Sequence, residues 1–138
     1  MILLDTNIIS EVMRPAPDPR VICWLNGADA GILHVSTISI AEILYGLDLL
    51  PAGRRRVGME EQVEAFLLKG FSQRIMSFDE GAARHYGPLM ADRRRAGRPM
   101  AAPDGQIAAI ARTRAMALAT RNIRDFEACG LALINPWA

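Results

Sequence analysis

The sequence predicts an α/β fold, a three-layer α/β/α domain around a central, mostly parallel sheet, and three observations predict it. Short apolar runs alternate with stretches of helical periodicity, the runs end on polar or acidic residues, and proline or glycine stands at most junctions. Strands that alternate with helices imply right-handed crossovers, and hence parallel strands with helices on both faces.

The elements follow in order. Ile2 to Leu4 is a short apolar run that stops at Asp5 and Thr6, after which Ile8, Ile9, Val12 and Met13 recur at helical spacing: a buried strand feeding a helix. Pro15, Pro17 and Pro19 end that helix, and Pro19 starts a second, short one ending near Gly27. Ile32 to Val35 reads as the second strand, followed by a helix with the stripe Ile40, Ile43, Leu44 and Leu47. Met59, Val63, Phe66, Leu67 and Gly70 mark a fourth helix. Arg74 to Phe78 is the third strand. Asp79 caps a long helix with Ala82, Tyr86, Leu89, Met90 and Arg93 on one stripe, ended by Gly97 and Pro99. The alanine-rich helix from Pro103 is apolar nearly all round through Ile107 to Ala111, which predicts burial against the sheet. Met116 to Ala119 and Leu131 to Ile134 are the last strands, with a helical turn around Asp125 and Phe126 between them.

A chain of 138 residues is one ordinary domain, residues 1–138, with a single sizeable core. At 51% hydrophobic, 22% charged and a mean hydropathy of +0.12 it lies far from the composition of disordered chains. No apolar run approaches the ~20 residues of a membrane span, and no basic flank precedes Ile2, so neither a span nor a secretory signal is expected. Cys23 and Cys129 lack metal or redox spacing, which leaves a reducing cytoplasm as the expected compartment. The net charge of +1 argues against bulk electrostatic binding to nucleic acid, yet every basic residue but Lys69 is arginine, and the arginines cluster.

Parallel sheets bind ligands outside the carboxyl ends of their strands. Asp5 ends the first strand, Thr120 and Asn122 end the fourth, Asp125 follows in the next turn, and Glu42 and Asp104 begin helices. Each acid has an ordinary explanation. Asp5 suits a helix cap, Ser39 and Glu42 have capping-box spacing, and Asp104 suits a first helical turn. Together they ask for another, because two carboxylates about 4 Å apart repel by ~4 kcal/mol at an effective dielectric near 20. A compensating cation resolves the conflict, and oxygen donors without Cys or His favour Mg²⁺ or Mn²⁺. The chemistry that fits is metal-assisted phosphodiester hydrolysis.

Four blocks carry a resemblance: M-I-L-L-D-T-N-I-I-S-E, V-S-T-I-S-I-A-E-I-L-Y-G-L, P-D-G-Q-I-A-A-I-A and L-A-T-R-N-I-R-D-F. In this order they resemble the signature blocks of PIN-domain ribonuclease toxins, and the ending I-N-P-W is similar to the FitB branch of the VapC-type toxins. The resemblance implies a Rossmann-like domain that uses Mg²⁺ or Mn²⁺ to cleave single-stranded RNA, often a transfer RNA. It further implies that Asp5 and Asp104 are the principal metal ligands, with Glu42 completing the set directly or through water. Many relatives carry an acid where Asn122 stands; here Asn122 offers a neutral oxygen, or Asp125 reaches in through a water. Thr6 and Thr120 are expected to support the site, and Glu42 is the expected base. The implied partners are a cognate antitoxin that covers the pocket and often donates an arginine, a second copy of the chain in a homodimer, and DNA only through the antitoxin.

The two arginine runs read differently. Arg54, Arg55 and Arg56 precede Glu60, Glu61 and Glu64 at helical pairing distances, which predicts an internally paired surface. Arg93, Arg94, Arg95 and Arg98 have only Asp92 nearby and are the expected RNA rim. His34 and His85 lack ligand spacing and read as packing residues; Trp24, Phe126 and Trp137 read as core or interface anchors. Two rival readings exist. A phosphotransfer domain of the haloacid dehalogenase or response-regulator kind also places an Asp after its first strand, but Asn7 stands where the former has a second Asp. A catalytically inactive PIN-like module that binds RNA or protein is suggested by Asn122.

Overall fold

The computed structural model describes residues Met1–Ala138. Five short strands form a parallel sheet: β1 (Ile2–Leu4), β2 (Leu33–Ser36), β3 (Ile75–Met76), β4 (Ala117–Ala119) and β5 (Leu133–Ile134). Their order across the sheet is β3-β2-β1-β4-β5. Leu3 pairs with His34 on one side and Leu118 on the other, so β1 is the central strand. The helices are α1 (Thr6–Val12), α2 (Pro19–Gly27), α3 (Thr37–Asp48), α4 (Arg54–Gln62), α5 (Glu80–Arg95), α6 (Ala102–Thr113) and α7 (Ile123–Phe126).

Alternate residues of each strand serve opposite faces. Leu4 and Ala119 join one core with Ile8, Ile9, Val21, Val35, Leu47 and Leu67. Leu3 and Leu118 join the other with Leu89, Ile107, Ile110 and Phe126. Both faces of the sheet are therefore covered, as a parallel sheet requires, and the predicted α/β/α layering is what forms. The alanine-rich helix is α6, and Ile107 through Ala111 are fully buried in it. No helix is long and apolar enough to cross a membrane.

Several local expectations change. β1 has its expected bounds, β2 is shifted by one residue because Ile32 belongs to a helical turn over Ala30–Ile32, and β3, β4 and β5 are shorter than expected, with Arg74 leaving β3 to donate from Nη1 to the carbonyls of Ala30 and Leu33. Leu44, expected on the inner stripe of α3, is exposed, while Ser39 is fully buried in its place. α4 continues into a π-helical stretch, Val63–Lys69. That wider turn ends at Gly70, where any Cβ would stand 2.2 Å from the Phe66 carbonyl oxygen. A second glycine matters for the site: at Gly105 a Cβ would meet the Met90 sulfur at 2.3 Å, so its absence lets α6 lie close on α5.

Candidate active site

The strand order reverses between β1 and β4, and the crevice outside their carboxyl ends is the place where parallel sheets take ligands. A pocket of about 480 Å³ opens there, with Asp5, Thr6, Glu42, Asp104 and Asn122 among its lining residues. Asp5, Asp104 and Glu42, which lie far apart in sequence, are thus brought to one depression.

Asp5 is held from every side. Its Oδ1 accepts from the backbone N–H of Thr6 at 2.8 Å and caps α1, so the capping explanation holds. Its Oδ2 accepts from the Thr120 hydroxyl at 2.8 Å and from Asn7 Nδ2 at 3.2 Å. Burial pushes its carboxyl up; the bonds from Thr120 and Thr6 oppose this, and the charges of Glu42 and Asp125 add to it. Thr120 is itself fixed, because its oxygen accepts from the backbone N–H of Asn122 at 3.0 Å.

Glu42 does not form the expected capping box. The cap of α3 is Ser36, whose Oγ accepts from the Ser39 N–H at 3.0 Å, and Glu42 lies a turn further along. The Thr6 hydroxyl donates to Glu42 Oε1 at 2.8 Å. Since Thr6 has a single hydroxyl proton, its 2.8 Å contact with Ser39 Oγ requires Ser39 to be the donor, and Ser36 donates to Ser39 in turn. A line of three hydroxyls therefore orients Glu42 toward the pocket.

Asp104 occupies the first turn of α6, as expected. Its carboxyl is pushed up to about 6, first by burial and then by the charges of Asp5, Asp125 and Glu42. Asn122 lines the pocket, whereas Asp125 lines an adjoining hollow with Arg121, Arg124 and Asn135; its charge still reaches Asp5 and Asp104.

The donor set is all oxygen and the excess charge negative, which suits a hard divalent cation. No three acidic or imidazole groups are gathered tightly enough to ligate one ion together.

Three pocket residues carried no recognised signal in the sequence. Glu11 is buried, takes the Arg14 guanidinium on both oxygens at 3.1 and 3.2 Å and accepts from the Asp18 N–H at 3.1 Å. Arg14, just past the end of α1, and Arg121 are the other two.

The expected RNA rim is corrected at Arg93, which is buried. Its Nε donates to the Arg98 carbonyl at 2.7 Å and its Nη1 to the Glu127 carbonyl, because its place on the apolar stripe of α5 turns it inward. Arg98 donates to the Arg124 carbonyl and pairs with Glu127 at 3.1 Å, Arg95 pairs with Asp92, and none of Arg93, Arg94, Arg95 and Arg98 lines the acidic pocket. In the other run, Arg56 pairs with Glu60 at 2.9 Å as expected, and also with Asp48.

Fold and site together define a parallel α/β domain with a carboxylate pocket at its topological switch point. The PIN domain family matches residues 2–130. Over 137 residues the chain is 40% identical to VapC ribonuclease Y4jK of Sinorhizobium fredii, covering 99% of this chain and 98% of that protein. It is 39% identical to toxin FitB of Neisseria gonorrhoeae, covering 99% of each. A solved structure of FitAB bound to a DNA fragment superposes with a TM-score of 0.95 at 40% identity, covering 100% of this chain and 96% of that one. The chain belongs to the PIN-domain family, in the branch that holds VapC and FitB.

Proposed function

We propose that this chain is the toxin of a toxin–antitoxin pair and acts as an Mg²⁺- or Mn²⁺-dependent endoribonuclease on single-stranded RNA, with transfer RNA as the first substrate to try. The observation that carries this reading is the meeting of Asp5 and Asp104 in one pocket, with Asp104 so crowded by anions and burial that its carboxyl rises to about 6. The names of the relatives, VapC ribonuclease and toxin FitB, support it. One is called a tRNA(fMet)-specific endonuclease, from Shigella flexneri, at 30% identity.

Asp5 and Asp104 would hold the ion, and Glu42 would complete the set through water. When bound, such an ion neutralises phosphate charge and acidifies water. Glu42 accepts the proton of the attacking water, its carboxylate held for that purpose by Thr6. Thr120 favours the ionised form of Asp5 against its burial by donating to it, Asn122 contributes a neutral oxygen, and Asp125 acts through a water. A cognate antitoxin would cover the pocket and bring DNA binding to the complex, as supported by the solved FitAB–DNA complex; a homodimer in the cytoplasm is the proposed state of the toxin. The exposed Leu44, Tyr45 and Leu49 on α3 support an apolar surface for such assembly.

The test is cleavage of end-labelled RNA by purified protein with Mn²⁺, with EDTA, and by Asp104→Asn. The proposal expects cutting only in the first case, by at least about 100-fold. A metal-independent product, or full activity in Asp104→Asn, would overturn the metal-site mechanism, and no cutting under any condition would leave the inactive binding module as the better reading.

A further inference from the structure

The acidic pocket has two cations in its wall, and they differ in a way that matters for a polyanionic substrate. Arg14 is engaged through one nitrogen, its Nη1 bonded to both oxygens of the buried Glu11. Arg121 is not. Its backbone N–H donates to Asn7 Oδ1 at 3.4 Å, but its side chain makes no hydrogen bond or ion pair. Instead its guanidinium carbon lies 5.3 Å from the centroid of the Trp137 ring, and Trp137 is a buried core residue whose backbone N–H donates to Asn135 Oδ1. A cation–π contact of this kind holds a guanidinium over a ring face without using its five N–H donors.

The position is equally specific. Arg121 follows Thr120, which donates to Asp5, and Asn7 links the Arg121 backbone to the same carboxylate. Arg121, with Asn122, lies on the boundary shared by the acidic pocket and the adjoining hollow, which contains Arg124 and Asn135 and also the carboxylate of Asp125. A strand whose scissile phosphate meets Asp5 and Asp104 has to pass one ridge or another on leaving the pocket, and here the ridge carries an oriented, unpaired fork of donors. Guanidinium groups grip phosphate in two-pronged fashion, and lysine does not reproduce that grip.

We propose that Arg121, stacked on Trp137, grips a phosphodiester of the RNA strand beside the cleavage point, and that the strand leaves the pocket over the Arg121–Arg124 hollow instead of the Arg93–Arg98 segment. This rests on the reading of the chain as a ribonuclease, and its test separates the two. Arg121→Ala, Arg121→Lys and Arg94→Ala are compared with the unaltered protein in two assays: steady-state cleavage of a labelled single-stranded RNA, and fluorescence anisotropy of the same RNA in EDTA. Arg121 is exposed, so its replacement leaves the core intact.

For Arg121→Ala the expected result is KM and binding Kd raised about tenfold with kcat within about threefold. The slope of log K against log salt should shrink by about 0.7, one phosphate contact on a single strand. Arg121→Lys should restore the salt slope and only part of the affinity, while Arg94→Ala changes neither. Unchanged KM, Kd and slope in Arg121→Ala, or a loss confined to kcat, would overturn the proposal. So would intact RNA binding together with weakened binding of a protein inhibitor, which would assign Arg121 to a protein partner. If the unaltered protein binds RNA through Arg121 but never cuts it, the ribonuclease reading fails and the phosphate grip stands.

Discussion

Asn in place of Asp104 should make the metal-free protein more stable at neutral pH while disabling it. Asp104 has its carboxyl raised from 3.8 to about 6 by burial and by the charges of Asp5, Asp125 and Glu42. At about 1.4 kcal/mol for each pH unit, that corresponds to roughly 3 kcal/mol against the ionised form. The side chain is only half-buried, and screening by water removes about half. The favourable interaction of the anion with the first turn of α6, about 0.5 kcal/mol, is also lost in the amide. A net gain of about 1 kcal/mol remains for Asp104→Asn above pH 7. For a chain of this size that is a melting temperature higher by about 3 °C.

The sign with pH follows from linkage. Between 3.8 and about 6 the native state binds the Asp104 proton more tightly than the unfolded chain, so stability falls as pH rises through that window. The advantage of Asp104→Asn should therefore be full at pH 7.5 and fade toward pH 4. Circular dichroism melts in EDTA at the two pH values measure it. Adding Mn²⁺ should reverse the order at pH 7.5, because saturation to 100 times Kd stabilises only the unaltered protein, by about 2.7 kcal/mol. A variant that melts below the unaltered protein in EDTA at pH 7.5, or by an amount independent of pH, would refute the electrostatic reasoning.

Thr120→Val removes the hydroxyl that donates to Asp5 and lowers its pKa, so the pH at which Mn²⁺ binding begins should move upward, as titration at several pH values will show. Glu11→Ala leaves the Asp18 N–H and the Arg14 guanidinium without their acceptor, at a cost of about 1–3 kcal/mol read from urea unfolding. Arg93→Ala removes charge-assisted bonds to the Arg98 and Glu127 carbonyls and should cost about 3 kcal/mol in the same assay, yet leave the salt dependence of RNA binding unchanged.

The fold was legible because its determinants are local. Ile2 to Leu4 ending at Asp5, and the all-round apolar Ile107 to Ala111, need no knowledge of distant partners to be read as a buried strand and a buried helix. The acids of the site were legible for a related reason: the parallel topology fixes where strands end and helices begin, with Asp5 at the end of β1 and Asp104 in the first turn of the helix that leads into β4. What escaped was decided by tertiary contact. Arg93 reads both as a member of the apolar stripe with Leu89 and as one of four rim arginines, and the stripe prevails, carrying it inward to two carbonyls. Glu11 was hidden because its acceptor role depends on the Asp18 N–H arriving after Pro15 and Pro17 have turned the chain. Glu42 matched a capping box by spacing alone, and lost that role when Ser36 reached the Ser39 N–H first. Arg121 became distinctive only once Trp137 was folded beneath it.

The central claim is that Asp5 and Asp104 hold a divalent cation between them. Crystals of the protein grown with Mn²⁺ and measured near the manganese absorption edge test it without reference to activity. The account predicts one strong anomalous peak in the pocket, at about 2.0–2.3 Å from a carboxylate oxygen of each residue and absent from Asp5→Asn crystals. A pocket without anomalous signal at saturating Mn²⁺, or a peak that survives Asp5→Asn unchanged, would contradict it.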